Sequence, residues 1–63
     1  MLAEQRAEKI LTELARKRAV SVGDLCLITG ASETTIRRDL TALARQGKLS
    51  KVHGGAVRMN AEF

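Results

Sequence analysis

The sequence predicts a mostly helical domain that ends in a small β-hairpin, and three observations support this fold class. Three segments before Gly47 carry apolar residues at the spacing of one helical face. Glycines follow the second and third of these segments, at Gly30 and Gly47. Beyond Gly47 the pattern changes to two short stretches on either side of Gly54 and Gly55, which is typical of a hairpin.

The first predicted helix covers roughly residues 2–17 and precedes a short strand. Ile10, Leu11 and Leu14 lie on one side of this helix, whereas the opposite side is charged or polar. No Gly or Pro interrupts the segment. Residues 19–22 alternate and include β-branched side chains, so we expect a strand of about one bridge that pairs with a later part of the chain.

The second predicted helix begins at residue 22 or 23 and ends at residue 29. Ser21 is followed by Asp24 at the spacing of a helix N-cap. Gly30 is expected to end the helix, because glycine adopts a left-handed conformation at little cost. The side chains expected to be buried are Leu25, Ile28 and Cys26.

The third predicted helix starts at Ser32, a second hydroxyl cap, and closes at Gly47. Its buried stripe consists of Ile36, Leu40 and Leu43. About three residues, including Gly30, join it to the second helix. This short connection between two helices is the spacing of a helix-turn-helix.

Two short strands are predicted after the third helix, at residues 49–52 and 56–59. They flank His53, Gly54 and Gly55, which we expect to form the turn. The order helix, strand, helix, helix, hairpin is that of a winged helix-turn-helix, in which the hairpin is the wing. We expect one domain over residues 1–59, with residues 60–63 as a tail or the start of a linker to an absent domain.

The charge of the chain is concentrated in its second half. Residues 1–36 contain five basic and five acidic side chains, so they sum to zero. Residues 37–63 contain six basic and two acidic side chains, which accounts for the whole net charge of +4. Such a basic end indicates a polyanionic partner, although an ordinary solvated basic face would have the same composition.

Several classes of function are disfavoured by size and composition. The chain has 63 residues, enough for one small domain without a deep catalytic cleft, so we do not expect an enzyme. Cys26 is the only cysteine and no Cys/His cluster has zinc spacing, so we expect neither a metal nor another cofactor. No segment has the length of a membrane span or the form of a signal peptide, which predicts a cytoplasmic protein without membrane contact.

The exposed face of the third helix carries the candidate chemistry. At about 100° per residue, the side opposite Ile36 displays two hydroxyl and two guanidinium groups, with Thr35 and Arg37 on its flanks. The four residues are Thr34, Arg38, Thr41 and Arg45. Arginine can bind guanine O6 and N7 with a bidentate fork, and threonine can contact a base edge or a thymine methyl. A merely solvated helix would also expose arginines, so this face alone does not decide the function.

Two motifs in register strengthen the DNA interpretation. Residues 35–40 read Thr-Ile-Arg-Arg-Asp-Leu, and residues 52–56 read Val-His-Gly-Gly-Ala. Together they resemble the N-terminal domain of DeoR-family transcription regulators, and the resemblance extends over nearly the whole chain. Two positions depart slightly from the family, since Ala31 replaces the usual Val and Cys26 the usual Ala.

The resemblance implies a repressor, usually of sugar or related catabolic genes, whose absent C-terminal domain binds a phosphorylated sugar or similar metabolite. It also implies double-stranded operator DNA as the partner, and a homo-oligomer formed through that absent domain. The expected recognition-helix contacts are Ser32, Thr34, Thr35, Arg37, Arg38 and Thr41. The expected wing contacts are Lys48, Lys51, His53, Gly54 and Gly55.

Two further polar residues, Asp39 and His53, have roles that the sequence suggests. We expect Asp39 to pair with Arg6 or Arg37 rather than to contact DNA, because a carboxylate repels phosphate. His53 is the only histidine in the sequence, so a wing contact is favoured over metal binding or catalysis.

The alternative function is a protein-interaction module with the same fold. RNA binding is disfavoured because no internal aromatic residue could stack on bases.

Overall fold

A computed structural model describes residues 2–59, which form three helices and three strands. In chain order they are α1 (Ala3–Lys17), β1 (Ala19–Ser21), α2 (Val22–Thr29), α3 (Glu33–Arg45), β2 (Leu49–Val52) and β3 (Gly55–Arg58). The strands make one antiparallel sheet in the order β1-β3-β2. This arrangement confirms the predicted winged helix-turn-helix. No described helix is long and apolar enough to span a membrane.

The predicted caps set the boundaries of α2 and α3. The Ser21 hydroxyl accepts a hydrogen bond from the Asp24 amide at 3.0 Å, and the Ser32 hydroxyl accepts one from the Thr35 amide at 3.2 Å. Each bond satisfies an amide that the first helical turn leaves without a main-chain partner. Gly30 ends α2 with φ 76° and donates its amide to the Cys26 carbonyl. The turn between the two helices is therefore defined by local chemistry.

A core of aliphatic side chains joins all three helices to the sheet. The fully buried ones among them are Ile10, Leu14, Leu25, Ile36, Leu40 and Leu49. Ala56 of β3 is also completely buried, and Val20 of β1 is 6% exposed. Because α3 contributes its whole predicted stripe to this core, its opposite side must face outward.

The prediction for α2 is wrong in part. Leu25 is buried, but Ile28 and Cys26 are only half-buried, and Val22 is buried instead. Ile28 lines a groove on the side of α1, where the neighbouring side chains are polar or charged. The first turn of this short helix, with Val22 and Leu25, points into the core, so its last turn lies beyond the core edge. Leu27 on the same helix is 85% exposed.

The predicted turn of the hairpin also needs correction. His53 and Gly54 alone form it, and Gly55 is the first residue of β3, paired with Val52 on one side and Ser21 on the other. Gly54 has φ 78°, as tight two-residue turns require. β3 ends at Arg58, so Met59 lies outside the strand. β1 makes three residue pairs with β3 rather than a single bridge, which turns the hairpin into a three-stranded sheet.

Candidate nucleic-acid interface

The outward face of α3 presents the predicted recognition residues to solvent. Thr34, Arg37 and Arg38 are exposed, whereas Ile36 and Leu40 on the opposite side are completely buried. The helical period therefore separates the core-forming residues from the polar ones. A continuous polar strip follows the first half of α3, where a helix that enters the major groove makes its base contacts.

The two adjacent arginines of α3 differ in their surroundings. The Arg37 guanidinium lies 3.4 Å from the Glu33 carboxylate, one helical turn earlier, and both side chains are more than half exposed. The Arg38 side chain has no hydrogen-bond or ion-pair partner within residues 2–59. All five donors of the Arg38 guanidinium are therefore available to an external acceptor. Arg37 must first exchange or share its carboxylate.

The start of α3 combines a hydroxyl cap with the positive end of a helix. The Ser32 hydroxyl donates to the Thr35 hydroxyl at 3.1 Å in addition to accepting from the Thr35 amide. Ser32 is exposed and Thr35 is half-buried. The cap orders the first turn of α3, whose amides and helix dipole favour a phosphate oxygen. Ser32 thus orders the start of α3, while the Thr35 hydroxyl donates to no partner within residues 2–59 and keeps its own proton for an external acceptor.

An ion pair between α1 and α3 holds the recognition helix from behind. Arg6 Nε lies 2.6 Å from Asp39 Oδ2, and Arg6 Nη2 lies 3.2 Å from Asp39 Oδ1. The side chains are only 17% and 15% exposed. The hydrogen bond to the carboxylate raises the pKa of Arg6 further above its ordinary value. Arg6 is thus the partner of Asp39, which confirms one of the two predicted pairings of that carboxylate; Arg37 pairs with Glu33 instead.

The tip of the wing lies beside the start of α2. His53 and Gly54 are exposed, and the Gly54 carbonyl accepts a hydrogen bond from the Val22 amide at 2.9 Å. This bond anchors the tip to the helix-turn-helix. Gly55 was expected in the turn at the tip, but it is buried against β1 and does not belong to the exposed tip.

The two lysines predicted for the wing lie in different surroundings. Lys51 of β2 reaches across to α3, where its ammonium donates to the Thr41 hydroxyl at 3.0 Å. Lys48 precedes β2 and borders a groove between α1 and α3, together with the carboxylates of Glu4 and Glu8. The structure therefore joins Lys51 to the recognition helix and places Lys48 on a groove that acidic side chains also line. The sequence contains no signal for the Thr41–Lys51 contact, since it links residues ten positions apart across a turn.

The predicted contact residues of α3 and the wing share one kind of chemistry. Within residues 2–59 no three His, Cys, Asp or Glu side chains are grouped as metal ligands. Apart from the Glu33 carboxylate, which is paired with Arg37, the predicted contact groups are hydroxyl, guanidinium, ammonium and imidazole, all able to donate hydrogen bonds. Donors and positive charge on a protruding helix and an adjacent hairpin are complementary to phosphates and to the base edges of a groove.

Comparison with known proteins identifies the family. The sequence model of the DeoR-like helix-turn-helix domain matches residues 6–62. The chain belongs to the DeoR-like helix-turn-helix family. Family members are DNA-binding transcription regulators rather than enzymes, as expected from the sequence.

Relatives of this DeoR-like domain are full regulators that are considerably longer. The chain is 40% identical over 60 residues to the uncharacterized HTH-type transcriptional regulator FruR of Bacillus subtilis, covering 95% of this chain and 24% of FruR. It is 38% identical over 55 residues to the putative galactitol utilization operon repressor of Escherichia coli, covering 87% and 49%. It is 36% identical over 60 residues to the lactose phosphotransferase system repressor of Streptococcus mutans, covering 95% and 24%. The chain thus spans about a quarter of FruR and the lactose repressor, and no solved structure matches it significantly.

Proposed function

We propose that this DeoR-like domain, residues 1–59, is the sequence-reading part of a bacterial transcription repressor that binds double-stranded operator DNA. The observation that supports the proposal most directly is the geometry of α3. Its exposed first half carries Thr34 and Arg38, whose side chains have no partner within residues 2–59, and the wing lies alongside. Residues 37–63, which include Arg38 and the wing, carry the whole net positive charge.

In the proposed complex α3 enters the major groove and the hairpin follows the sugar-phosphate backbone. Arg38 is the strongest candidate for a bidentate contact to guanine, and Thr34 for a contact to a neighbouring base. Arg37 and Thr35 contact phosphates around the start of α3, and Ser32, whose hydroxyl proton goes to Thr35, supports that contact by orienting the Thr35 hydroxyl. The tip residues of the wing contact phosphates on the other side. Each good bidentate contact discriminates against a wrong base by about 1–3 kcal/mol.

We further propose that the rest of the protein supplies dimerisation and effector control. A single small module buries roughly 600–1,000 Å² on DNA, so tight binding needs two modules on paired half-sites. Residues 60–63 would then begin the linker to that region. The names of relatives that act on galactitol and lactose systems support a sugar-derived effector, and a phosphorylated sugar is the specific candidate.

Salt-dependent DNA binding tests the proposal on the chain as it stands. Fluorescence anisotropy with a labelled random-sequence duplex would compare the parent with Arg37→Ala/Arg38→Ala. The log of the binding constant should fall with log salt by about 0.9 for each phosphate contacted. The variant should bind more weakly and with a shallower slope. A matched control, Arg16→Ala/Lys17→Ala, also removes two positive charges, but from the end of α1, and should change the affinity for DNA much less.

The outcomes separate the proposal from its alternative. Equal weakening by both double variants would show that only net charge matters and would contradict a role for α3. Absence of duplex binding at low salt would overturn the proposal and favour the protein-interaction module. If the parent binds, selection of an operator from a random pool, followed by chemical-shift mapping, should place the perturbed amides between Thr34 and Arg38.

A further inference from the structure

We propose that Thr41 is a positioning residue for Lys51, which holds the lysine ammonium at the junction of recognition helix and wing for contact with a DNA phosphate. This inference rests on the proposed DNA-binding function. It replaces the sequence-based expectation that Thr41 itself contacts DNA. The observation behind it is the pair of hydrogen bonds made by one hydroxyl group.

The hydrogen bonds of Thr41 leave it little to offer a nucleic acid. Its hydroxyl donates to the Arg37 carbonyl at 3.0 Å, within α3. It accepts from the Lys51 ammonium at 3.0 Å. A hydroxyl has a single proton to donate, so Thr41 has none left for a phosphate oxygen, which is itself only an acceptor.

Lys51 is differently placed, because an ammonium group has three protons and Thr41 uses only one. The other two remain available on an exposed side chain. Within residues 2–59 the ammonium has no carboxylate partner, in contrast to Lys17, which lies 3.6 Å from Glu13. The positive charge of Lys51 is therefore not neutralised by the domain.

The sheet explains why the Lys51 side chain extends toward α3. Lys51 pairs with Ala56 across the β2–β3 ladder, and Ala56 pairs with Val20 across the β1–β3 ladder. Residues paired across strands share one face of a sheet. Since Ala56 and Val20 are buried, this row faces the helices, and Lys51 is its exposed outer end. The lysine stem thus leaves the wing on the side of the recognition helix.

Ordering a lysine before binding has a measurable consequence. Immobilising a long side chain at an interface costs roughly 0.5–1.5 kcal/mol, which is about 2-fold to 10-fold in affinity. The Thr41 bond meets part of that cost in the free protein, so its removal should weaken DNA binding by a factor in this range. The charge at Lys51 would be unchanged, and so would the number of phosphates neutralised.

The test is a double-mutant cycle in which the affinity for random-sequence duplex DNA is measured by anisotropy over a range of salt concentrations. Thr41→Val should weaken binding by about 2-fold to 10-fold with the salt slope retained, and Thr41→Ser should restore parental affinity. Lys51→Gln should weaken binding and reduce the slope by about 0.9. Adding Thr41→Val to Lys51→Gln should have no further effect, because the lysine that Thr41 positions is gone.

Matched controls and melting curves isolate this effect from general ones. Thr12→Val and Lys9→Gln make the same chemical changes at exposed positions of α1 and should leave affinity nearly unchanged. Circular dichroism melts should show every variant folded at the assay temperature. Multiplicative effects of Thr41→Val and Lys51→Gln, or a Thr41→Val variant that binds like the parent, would overturn the inference. Failure of the parent to bind DNA would instead overturn the proposed function.

Discussion

Replacing Gly55 by alanine is expected to destabilise the domain strongly, because the added methyl group would collide with the main chain of β1. An ideal Cβ at Gly55 would lie 2.1 Å from the Val20 carbonyl oxygen and 3.0 Å from Ser21 Cα. Nonbonded heavy atoms reach their best separation at about 3.5–4.0 Å. Both contacts are with backbone, so no change of rotamer can relieve them. β1 must move away from β3.

The expected loss of stability follows from the contacts that a displacement of β1 would break. β1 is paired with β3 over three residues and brings Val20 into the core. Overpacking costs about 1–3 kcal/mol, and a weakened ladder hydrogen bond adds about 1 kcal/mol. We expect Gly55→Ala to lower the free energy of unfolding by about 2–4 kcal/mol. A domain of this size has only about 3–5 kcal/mol in total, so much of the population would unfold at room temperature.

Urea denaturation followed by far-UV circular dichroism measures this loss. Gly23→Ala is the matched control, because its new Cβ would meet only the Ser21 hydroxyl at an ordinary 3.9 Å. Alanine within a helix is more stable than glycine by about 0.5–1 kcal/mol, so the control should unfold at slightly higher urea. A Gly55→Ala midpoint equal to that of the parent would refute the reasoning. It would mean that β1 does not approach β3 as closely as the structure places it.

Four further substitutions test the interface and its support. Arg38→Ala should reduce discrimination between a selected operator and random DNA by about 1–3 kcal/mol, and Arg37→Ala should reduce it less. Competition titrations measure this discrimination, and equal losses for the two variants would argue against a distinct role for Arg38. Asp39→Asn should lower the melting temperature because it removes the charged partner of Arg6, and an unchanged melt combined with tighter DNA binding would contradict the structural role of that carboxylate. Ser32→Ala should cost about 0.5–2 kcal/mol in urea titrations through loss of the cap; no loss would show that the first turn of α3 does not need it.

Most of the helical framework was predictable from local sequence. A hydroxyl cap bonds to an amide three residues away, and a stripe of apolar residues at helical spacing must face the core, so both are encoded within a single element. The stripe of Ile36, Leu40 and Leu43 and the cap at Ser32 are examples that the structure confirms. The exposed positions of Thr34 and Arg38 follow from the same periodicity.

The sequence-based predictions that are wrong concern residues at which two elements meet. Ile28 continues the apolar stripe of α2, yet it is only half-buried because the core ends before the last turn of that helix. Gly55 adjoins Gly54 in sequence and was predicted in the turn, but it lies in β3, where only glycine leaves room for β1. Neither result could be read from local spacing, since each depends on how close a neighbouring element approaches.

The sequence by itself determined the order of the elements, the faces of the helices and the motifs that identify a DeoR-like domain. The tertiary structure decided which of the predicted contacts belong together. It separated Lys48, on a groove that acidic residues of α1 also line, from Lys51, which is bonded to Thr41. It also assigned Arg6 to Asp39 across 33 positions. Periodicity specifies the direction of a side chain around its own helix or strand, whereas the distance between two such elements depends on the packing of the core that lies between them.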